Sequence, residues 1–336
     1  MSPITRREFL KTLSAALGAT TAANLLSACG GTDSDQGGAQ PAVRPGAATQ
    51  ASDANPTPGS STAPTGAPDL VIVRQGQPEA LVRGAIDALG GMKRFVSPGA
   101  NVVIKPNICV AYHTYEYAAT TNPWVVGALV KLALEAGARE VSVFDYPFGG
   151  TAQEAYARSG IAEQVQAAGG QMLDMPNIKF VDTDLPNAKD LHKASFFDDA
   201  LKADVLIDVP IAKTHGLARL TLGMKNLMGL IHDRQAIHRN LGTRLADLAG
   251  FLRPDLVVID AVRILTANGP TGGNLDDVKE LDTLIASTDI VAADSYAAGL
   301  FGLQPSDLAY VKAGAEAGLG QSDLSQLNIQ ELNLGG

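Results

Sequence analysis

Residues 122–144 read NPWVVGALVKLALEAGAREVSVF, a stretch that predicts one complete helix and the strand after it. Asn122 is a favoured N-cap residue, and Pro123 suits the first helical position because its missing N–H is not needed there. Apolar residues then recur at close to helical spacing, and Gly137 is typical of the residue that follows a helix. The β-branched run after Glu140 predicts a strand. A helix joined to a strand by a short turn is one repeat of an α/β fold.

Alternation of strands and helices continues on both sides of this stretch. Short apolar or β-branched runs predict strands at 70–73, 101–104, 203–209, 256–259 and 284–287. Other periodic runs predict helices at 78–89, 220–231, 241–252 and 290–300. Strands separated by helices are typical of an α/β fold with a mostly parallel sheet flanked by helices. We predict this fold, built either as one domain or as two closely packed lobes.

The first 29 residues predict an export signal that ends at a lipid attachment site. Arg6-Arg7 stands near the start and is followed by Phe9-Leu10-Lys11, a pattern typical of twin-arginine signals. Residues 26–29 read LSAC, which resembles a lipoprotein cleavage box. The uncharged stretch between them is too short and too mildly apolar to span a membrane. We expect the twin-arginine export machinery to carry the folded protein into the cell envelope, periplasmic or extracytoplasmic, where a lipid on Cys29 anchors it to a membrane.

Residues 30–68 differ in composition from the rest of the chain. Gly, Pro, Ala, Ser, Thr and Asp dominate, and large apolar side chains are almost absent. Such a segment buries too little apolar surface to offset the entropy lost on ordering. We predict a disordered tether over residues 30–68 and a folded α/β domain over residues 69–336.

Composition restricts the partners and cofactors of the protein. The chain carries a formal net charge of −9, so we expect no nucleic acid as a partner. Any anionic ligand has to be held by local lysines rather than by the overall charge. The chain has two cysteines, and lipidation of Cys29 would leave Cys109 as the sole thiol. We therefore expect no intramolecular disulfide and no cysteine-ligated iron–sulfur cluster, and the identity of any cofactor stays open.

Polar residues recur where the predicted strands end. Lys105 and Asn107 follow the strand at 101–104, and Asp145 follows the next strand. Lys213 and Asp260 come after two later strands. Ligands of parallel α/β sheets collect beyond the carboxyl ends of the strands, so these side chains are expected to share one site. The candidate cofactor-binding residues are Lys105, Asn107, Asp145 and Asn226.

The densest group of chemically capable side chains lies around the predicted helix at 220–231. Lys213 and His215 precede it, and Thr221, Lys225 and His232 would share one of its faces. Lysines, a hydroxyl and a helix N-terminus suit a small anion, although a solvated basic face would have the same pattern. We predict Lys213 and Lys225 as catalytic binders of an anion or carbonyl group, with His215 as the acid–base residue.

A metal site is an alternative use of the histidines. His215, His232 and His238 are the candidate ligands, and Asp260, or else Asp145 or Asp294, would complete a mixed site. A catalytic zinc ion typically has three protein ligands. None of these pairs has the tight spacing of a known zinc motif, so metal content stays open.

Several blocks of sequence resemble a known family. Its signature resembles residues 104–107 (IKPN), 120–123 (TTNP), 208–215 (DVPIAKTH), 224–229 (MKNLMG), 259–261 (IDA), 268–270 (NGP) and 289–294 (DIVAAD). These blocks identify the chain as similar to the domain of unknown function 362 family over nearly all of its folded region. The resemblance implies an α/β domain, sometimes exported by the twin-arginine route. Many relatives carry a cysteine-rich ferredoxin-like module, which we do not expect here because the sequence has no cysteines to spare.

These observations favour a lipid-anchored envelope enzyme that acts on a small anionic substrate, with its reaction open. A non-catalytic solute-binding or assembly lipoprotein is the first alternative. A metal-dependent hydrolase or lyase that uses the histidines is the second.

Overall fold

The computed structural model describes residues 66–335. The predicted export signal, Cys29 and the predicted tether up to residue 65 lie outside the described residues. The strands are β1 (Leu70–Arg74), β2 (Asn101–Pro106), β3 (Glu140–Val143), β4 (Gln171–Met172), β5 (Phe180–Asp184), β6 (Lys193–Phe197), β7 (Val205–Val209), β8 (Ile211–His215), β9 (Arg219–Thr221), β10 (Leu256–Leu265), β11 (Val278–Ser287) and β12 (Ile329–Asn333).

Ten of these strands form one central sheet. Its order is β12-β1-β11-β10-β7-β2-β3-β4, with β8 paired to β10 and β9 paired to β8, whereas β5 and β6 form a separate hairpin. Neighbours from β10 through β7, β2 and β3 to β4 are parallel. Strand β11 runs antiparallel to both β1 and β10. The predicted α/β fold with a mostly parallel sheet is therefore confirmed.

Helices cover both faces of the sheet. They are α1 (Pro78–Ala88), α2 (Pro123–Glu135), α3 (Ala152–Arg158), α4 (Ile161–Ala167), α5 (Asp198–Lys202), α6 (Gly223–Asn226), α7 (Leu241–Leu252), α8 (Ile290–Gly299) and α9 (Ala309–Glu316). Strand β1 contributes Leu70 and Ile72 to one apolar cluster and Val71 and Val73 to the other, as side-chain alternation requires. Helices α1 to α4 pack in the second cluster and α6 to α9 in the first. Within residues 66–335, no helix is long and apolar enough to span a membrane.

The ends of several helices follow from the local sequence. Helix α2 begins at Pro123, and the Asn122 side chain accepts a hydrogen bond from the Trp124 N–H at 3.1 Å. Helix α7 occupies the predicted residues 241–252. Thr151 caps α3 in a capping box with Glu154.

The predicted helix at 220–231 is wrong. Thr221 instead pairs with Lys213 in the β8–β9 hairpin, so the first residues of this segment are extended. Helix α6 then begins at Gly223, where the Asp294 carboxylate accepts the Gly223 and Met224 N–H groups at 2.6 and 3.0 Å, and it makes about one turn. A 3₁₀ segment over Leu227–Leu230 follows. The side chain of His232 consequently does not share a helix face with Thr221 and Lys225.

Strand β8 was not predicted, since the sequence pattern placed Lys213 after the end of the strand at 203–209. Pro210 has no N–H to donate, and the pairing of β7 with β2 ends at Val209. The chain then continues as β8 beside β10, where the Asp260 N–H donates to the Pro210 carbonyl oxygen at 2.8 Å. Lys213 and His215 are thus held on a strand, which fixes their positions more tightly than a loop would.

Candidate functional site

A cavity of about 360 Å³ lies beyond the carboxyl ends of β2 and β3 and against β8. This is the edge of the sheet where the sequence predicts a site. The titratable side chains that line the cavity are Lys105, Cys109, Asp145, Tyr146, Lys213, His215, Lys225, Arg234 and His238. Four of these are lysines or arginine and one is a carboxylate, in a chain whose net charge is −9.

Lys105 lies at the base of the cavity and is fully buried. Its ammonium group contacts Asp145 Oδ1 at 2.9 Å and donates to Asn226 Oδ1 and the Pro106 carbonyl oxygen, both at 2.8 Å. A lysine has three N–H donors, so all of them are used within the protein. A Cβ on Gly229 would overlap Asp145 Oδ1 and lie 2.6 Å from Lys105 Nζ, which explains why the chain has glycine there.

Lys213 is equally buried but has no carboxylate partner among the residues that the structure describes. Its ammonium group donates to the Ala119 carbonyl oxygen at 2.6 Å, to Asn107 Oδ1 at 2.8 Å and to the Pro270 carbonyl oxygen at 3.0 Å. Burial lowers the pKa of Lys213. Three oxygen acceptors use its three N–H donors, so Lys213 supplies positive charge to the cavity without a donor left over for a ligand.

Asn226 joins the predicted cofactor-binding residues into one network. Its Oδ1 accepts from Lys105 and from Asn107 Nδ2 at 2.9 Å, and its Nδ2 donates to the Lys105 carbonyl oxygen at 3.1 Å and to Asp208 Oδ1 at 2.8 Å. The other oxygen of Asp145 accepts the Ile108 N–H at 2.6 Å. The structure therefore brings the four predicted cofactor-binding residues together, and they are linked to one another by hydrogen bonds and the Lys105–Asp145 ion pair.

Lys225 differs from the other two lysines. Its side chain lines the cavity and is 8% exposed, and the hydrogen bond found for its amine within residues 66–335 is to Met228 Sδ at 3.2 Å. A thioether sulfur is a weak acceptor. Burial, and after it the charges of Lys213 and Arg234, lower the pKa of Lys225 to about 8. Its amine is therefore the lysine nitrogen in this cavity that is available to a ligand.

His215 is held as a neutral imidazole. Its Nδ1 accepts the N–H groups of Leu217 and Ala218 at 3.1 and 3.2 Å, which leaves the proton of the neutral ring on Nε2. Burial and the positive charges of Lys225 and Lys213 lower the pKa of His215 to about 3. At neutral pH this side chain therefore offers an Nε2–H donor to the cavity. The sequence predicted an acid–base role for His215, whereas its surroundings favour a role as a neutral hydrogen-bond donor.

Two further polar side chains, Thr221 and Arg234, line the cavity. Thr221 Oγ is buried and has no hydrogen-bond partner within the described part of the chain. Arg234 uses one N–H to reach the Tyr146 carbonyl oxygen at 2.7 Å, and its guanidinium lies 4.9 Å from the centre of the Tyr146 ring. Sequence reasoning missed Arg234 because it follows no strand and belongs to no recognised block.

The three histidines and Asp260 are not brought together as a metal site. His215 and His238 line the cavity, whereas His232 is exposed and contacts Asn177 Oδ1 at 3.2 Å. Asp260 is buried elsewhere, where its carboxylate accepts the Asn122 N–H at 2.7 Å and the Val262 N–H at 3.0 Å. Residues 66–335 contain no group of three His, Cys, Asp or Glu side chains placed to hold a metal ion.

The comparison with protein-family models identifies the family. The model described as "Domain of unknown function (DUF362)" matches residues 102–299, a range that contains the cavity described above. The chain belongs to this family. The DUF362 match includes Lys105, Lys213 and Lys225, so the three lysines of the cavity lie on the part of the chain that the family shares.

Individual relatives add context to the DUF362 assignment. The chain is 30% identical over 255 residues to the "Thylakoid-associated protein sll1697" of Synechocystis sp., covering 71% of this chain and 75% of that protein. Among solved structures it is similar to the lactate racemase apoprotein from Thermoanaerobacterium thermosaccharolyticum, with a TM-score of 0.43 and 13% identity over 68% of this chain. A Thermotoga maritima protein gives a TM-score of 0.37 and 11% identity. The chain spans 56% and 60% of these two structures.

Proposed function

We propose that this DUF362 protein is an enzyme whose cavity binds a small anionic substrate. One observation carries the proposal: Lys213 and Lys225 are buried at the cavity without a carboxylate partner among the described residues. A buried positive charge without a counter-ion is strongly unfavourable, and a bound carboxylate or phosphate would offset it. Because the chain as a whole is negatively charged, this local excess of positive charge supports a specific anion site.

The proposed roles follow from which polar groups are still unused. Lys105 and Lys213 do not contact the ligand directly, because their N–H groups already donate to protein oxygens. Lys225, Arg234 and the Nε2–H of His215 contact the ligand, together with the Thr221 hydroxyl. A lysine with a pKa of about 8 exchanges its proton readily near neutral pH, which favours catalysis over simple binding.

Sulfate binding at a series of pH values tests the anion site. Sulfate keeps its charge over the whole range, so any change in affinity reports the protein. At about pH 7 we expect sulfate to bind, because Lys225 is charged there while the neutral His215 still offers its Nε2–H. Affinity is expected to fall as the pH rises through 8, where Lys225 loses its proton. Calorimetry at constant ionic strength measures this, and sulfate affinity that is absent, or flat from pH 7 to about pH 10, would contradict the proposal.

We further propose that the protein is exported by the twin-arginine machinery and anchored to a membrane through Cys29. The sequence pattern at residues 6–29 supports this, and so does the relative whose name associates it with thylakoids. Metabolic labelling with palmitate is expected to label the full-length chain and its Cys109→Ala variant, and to leave Cys29→Ala unlabelled. Equal labelling of Cys29→Ala and the wild type would contradict the anchor.

A further inference from the structure

The three lysines of the cavity are in chemically different states. Lys105 and Lys213 each donate to three oxygen acceptors, which are the contacts that an ammonium group needs. Lys225 has a sulfur atom as its hydrogen-bond acceptor within residues 66–335. An ammonium group needs strong acceptors or water, whereas a neutral amine tolerates a soft, weakly polar contact. The surroundings of Lys225 therefore favour the neutral amine more than those of either neighbour.

The cations around Lys225 act in the same direction. Lys213, Arg234 and Lys105 all oppose a positive charge on its nitrogen, and no carboxylate among the described residues pairs with it. Desolvation next to other cations is a recognised way to make a lysine amine nucleophilic at neutral pH. Lysines of this kind attack carbonyl carbons.

The remaining groups of the cavity suit a ligand with both a carbonyl and a carboxylate. The His215 Nε2–H is a neutral donor for a carbonyl oxygen, since its Nδ1 is occupied by backbone N–H groups. Arg234 uses one of its five N–H donors on Tyr146, so others are available to a carboxylate. A small 2-oxo acid presents these two groups on adjacent carbon atoms, which fits a cavity of about 360 Å³.

We propose that Lys225 forms an imine with the carbonyl carbon of a small 2-oxo carboxylic acid. This inference rests on the proposed function, because the anion site holds the carboxylate of the same molecule. The side chains that contact the ligand are those of Lys225, His215 and Arg234. Lys105 and Lys213 contribute positive charge without a direct contact, because their N–H groups donate to protein oxygens.

The reaction is balanced without a redox step. The lone pair of Lys225 Nζ attacks the carbonyl carbon, a C–N bond forms, and the oxygen receives the proton that the nitrogen releases. The C–O bond of this carbinolamine then breaks, and the oxygen leaves as water after taking one more proton from solvent. The product is a protonated imine, and its positive charge is stabilised by the carboxylate of the bound acid.

Borohydride trapping tests the imine on the intact protein. Borohydride reduces a protonated imine to a stable secondary amine, which intact-mass measurement and peptide mapping detect. We expect a single adduct at Lys225 with at least one of pyruvate, 2-oxobutyrate, oxaloacetate and 2-oxoglutarate. The adduct is expected to persist in Lys131→Met, which removes an exposed lysine, and to disappear in Lys225→Met. No adduct with any of the four acids, or equal labelling of exposed lysines, would overturn the inference.

Sulfate separates this inference from the proposed function. If both hold, sulfate binds the cavity and lowers the yield of the Lys225 adduct. If sulfate binds but none of the 2-oxo acids is trapped, the imine is overturned and the anion site stands. If sulfate neither binds nor protects, the anion site fails and the inference that depends on it fails as well.

Discussion

Replacing Lys225 with methionine is expected to raise the stability of the folded protein while it weakens anion binding. The native protein at neutral pH holds a charged amine in a buried, cationic cavity, and methionine removes that charge with little change in volume. The lowering of its pKa from 10.5 to about 8 corresponds to a penalty of about 3 kcal/mol in the native state. Loss of one charge-assisted contact is expected to weaken sulfate binding by roughly tenfold to a hundredfold.

The stability difference between Lys225→Met and the wild type is expected to decrease as the pH rises. Below pH 8 the amine is charged in both the folded and the unfolded chain, so the penalty is fully present. Between pH 8 and 10.5 the folded protein releases the proton and the unfolded chain keeps it, so wild-type stability gains from rising pH. Lys225→Met lacks this gain, and its advantage over the wild type shrinks as the pH rises.

Urea unfolding at pH 7 and at about pH 10 measures both effects. Lys131→Met is the matched control, because it removes a lysine whose side chain is largely exposed, and its stability is expected to change by less than about 0.5 kcal/mol. A Lys225→Met variant that is less stable than the wild type at pH 7, or a difference that does not change with pH, would contradict the description of Lys225.

Replacing Lys105 with methionine is expected to have the opposite effect on stability. It leaves Asp145 buried beside the cavity without its cation, although the Ile108 and Tyr146 N–H groups still reach the carboxylate. Removing one partner of a buried ion pair typically destabilises a protein by about 3–5 kcal/mol. We expect a loss of that size in the free energy of unfolding, measured with urea.

A double variant shows whether the uncompensated charge is the cause. Asp145→Asn combined with Lys105→Met removes both charges, and it is expected to be more stable than Lys105→Met alone. Lys312→Met, whose partner Glu316 is 4.0 Å away on the surface, is the control and is expected to change little. Equal stability of the single and the double variant would show that lost packing, rather than charge, dominates.

The fold was largely predictable because much of it follows local rules. Asn122 and Pro123 start α2 by capping chemistry alone, and Gly137 follows its end. The segment after Pro210 escaped prediction because a proline between two apolar runs does not reveal that the second run moves to another neighbour in the sheet. The helix predicted at 220–231 could not be corrected from the sequence, because the start of α6 is set by a distant residue. The first N–H groups of α6 donate to the carboxylate of Asp294.

The sequence predicted which residues line the candidate site, but it did not predict the role of each. Strand-end position was enough to collect Lys105, Asp145 and Lys213, because parallel strands end at one edge of the sheet. Which lysine is saturated by oxygen acceptors depends on backbone carbonyls such as those of Ala119 and Pro270, and spacing along the chain does not show this.

Direct titration of Lys225 distinguishes a reactive amine from an ordinary surface lysine. Reductive methylation with ¹³C-formaldehyde gives each lysine an NMR signal that moves as its amine loses a proton, and the Lys225→Met variant assigns the signal. We predict that Lys225 titrates at about pH 8, well below the exposed lysines, and that sulfate raises its midpoint. Titration of Lys225 together with the exposed lysines, unmoved by sulfate, would contradict the view that this cavity combines an anion site with a reactive amine.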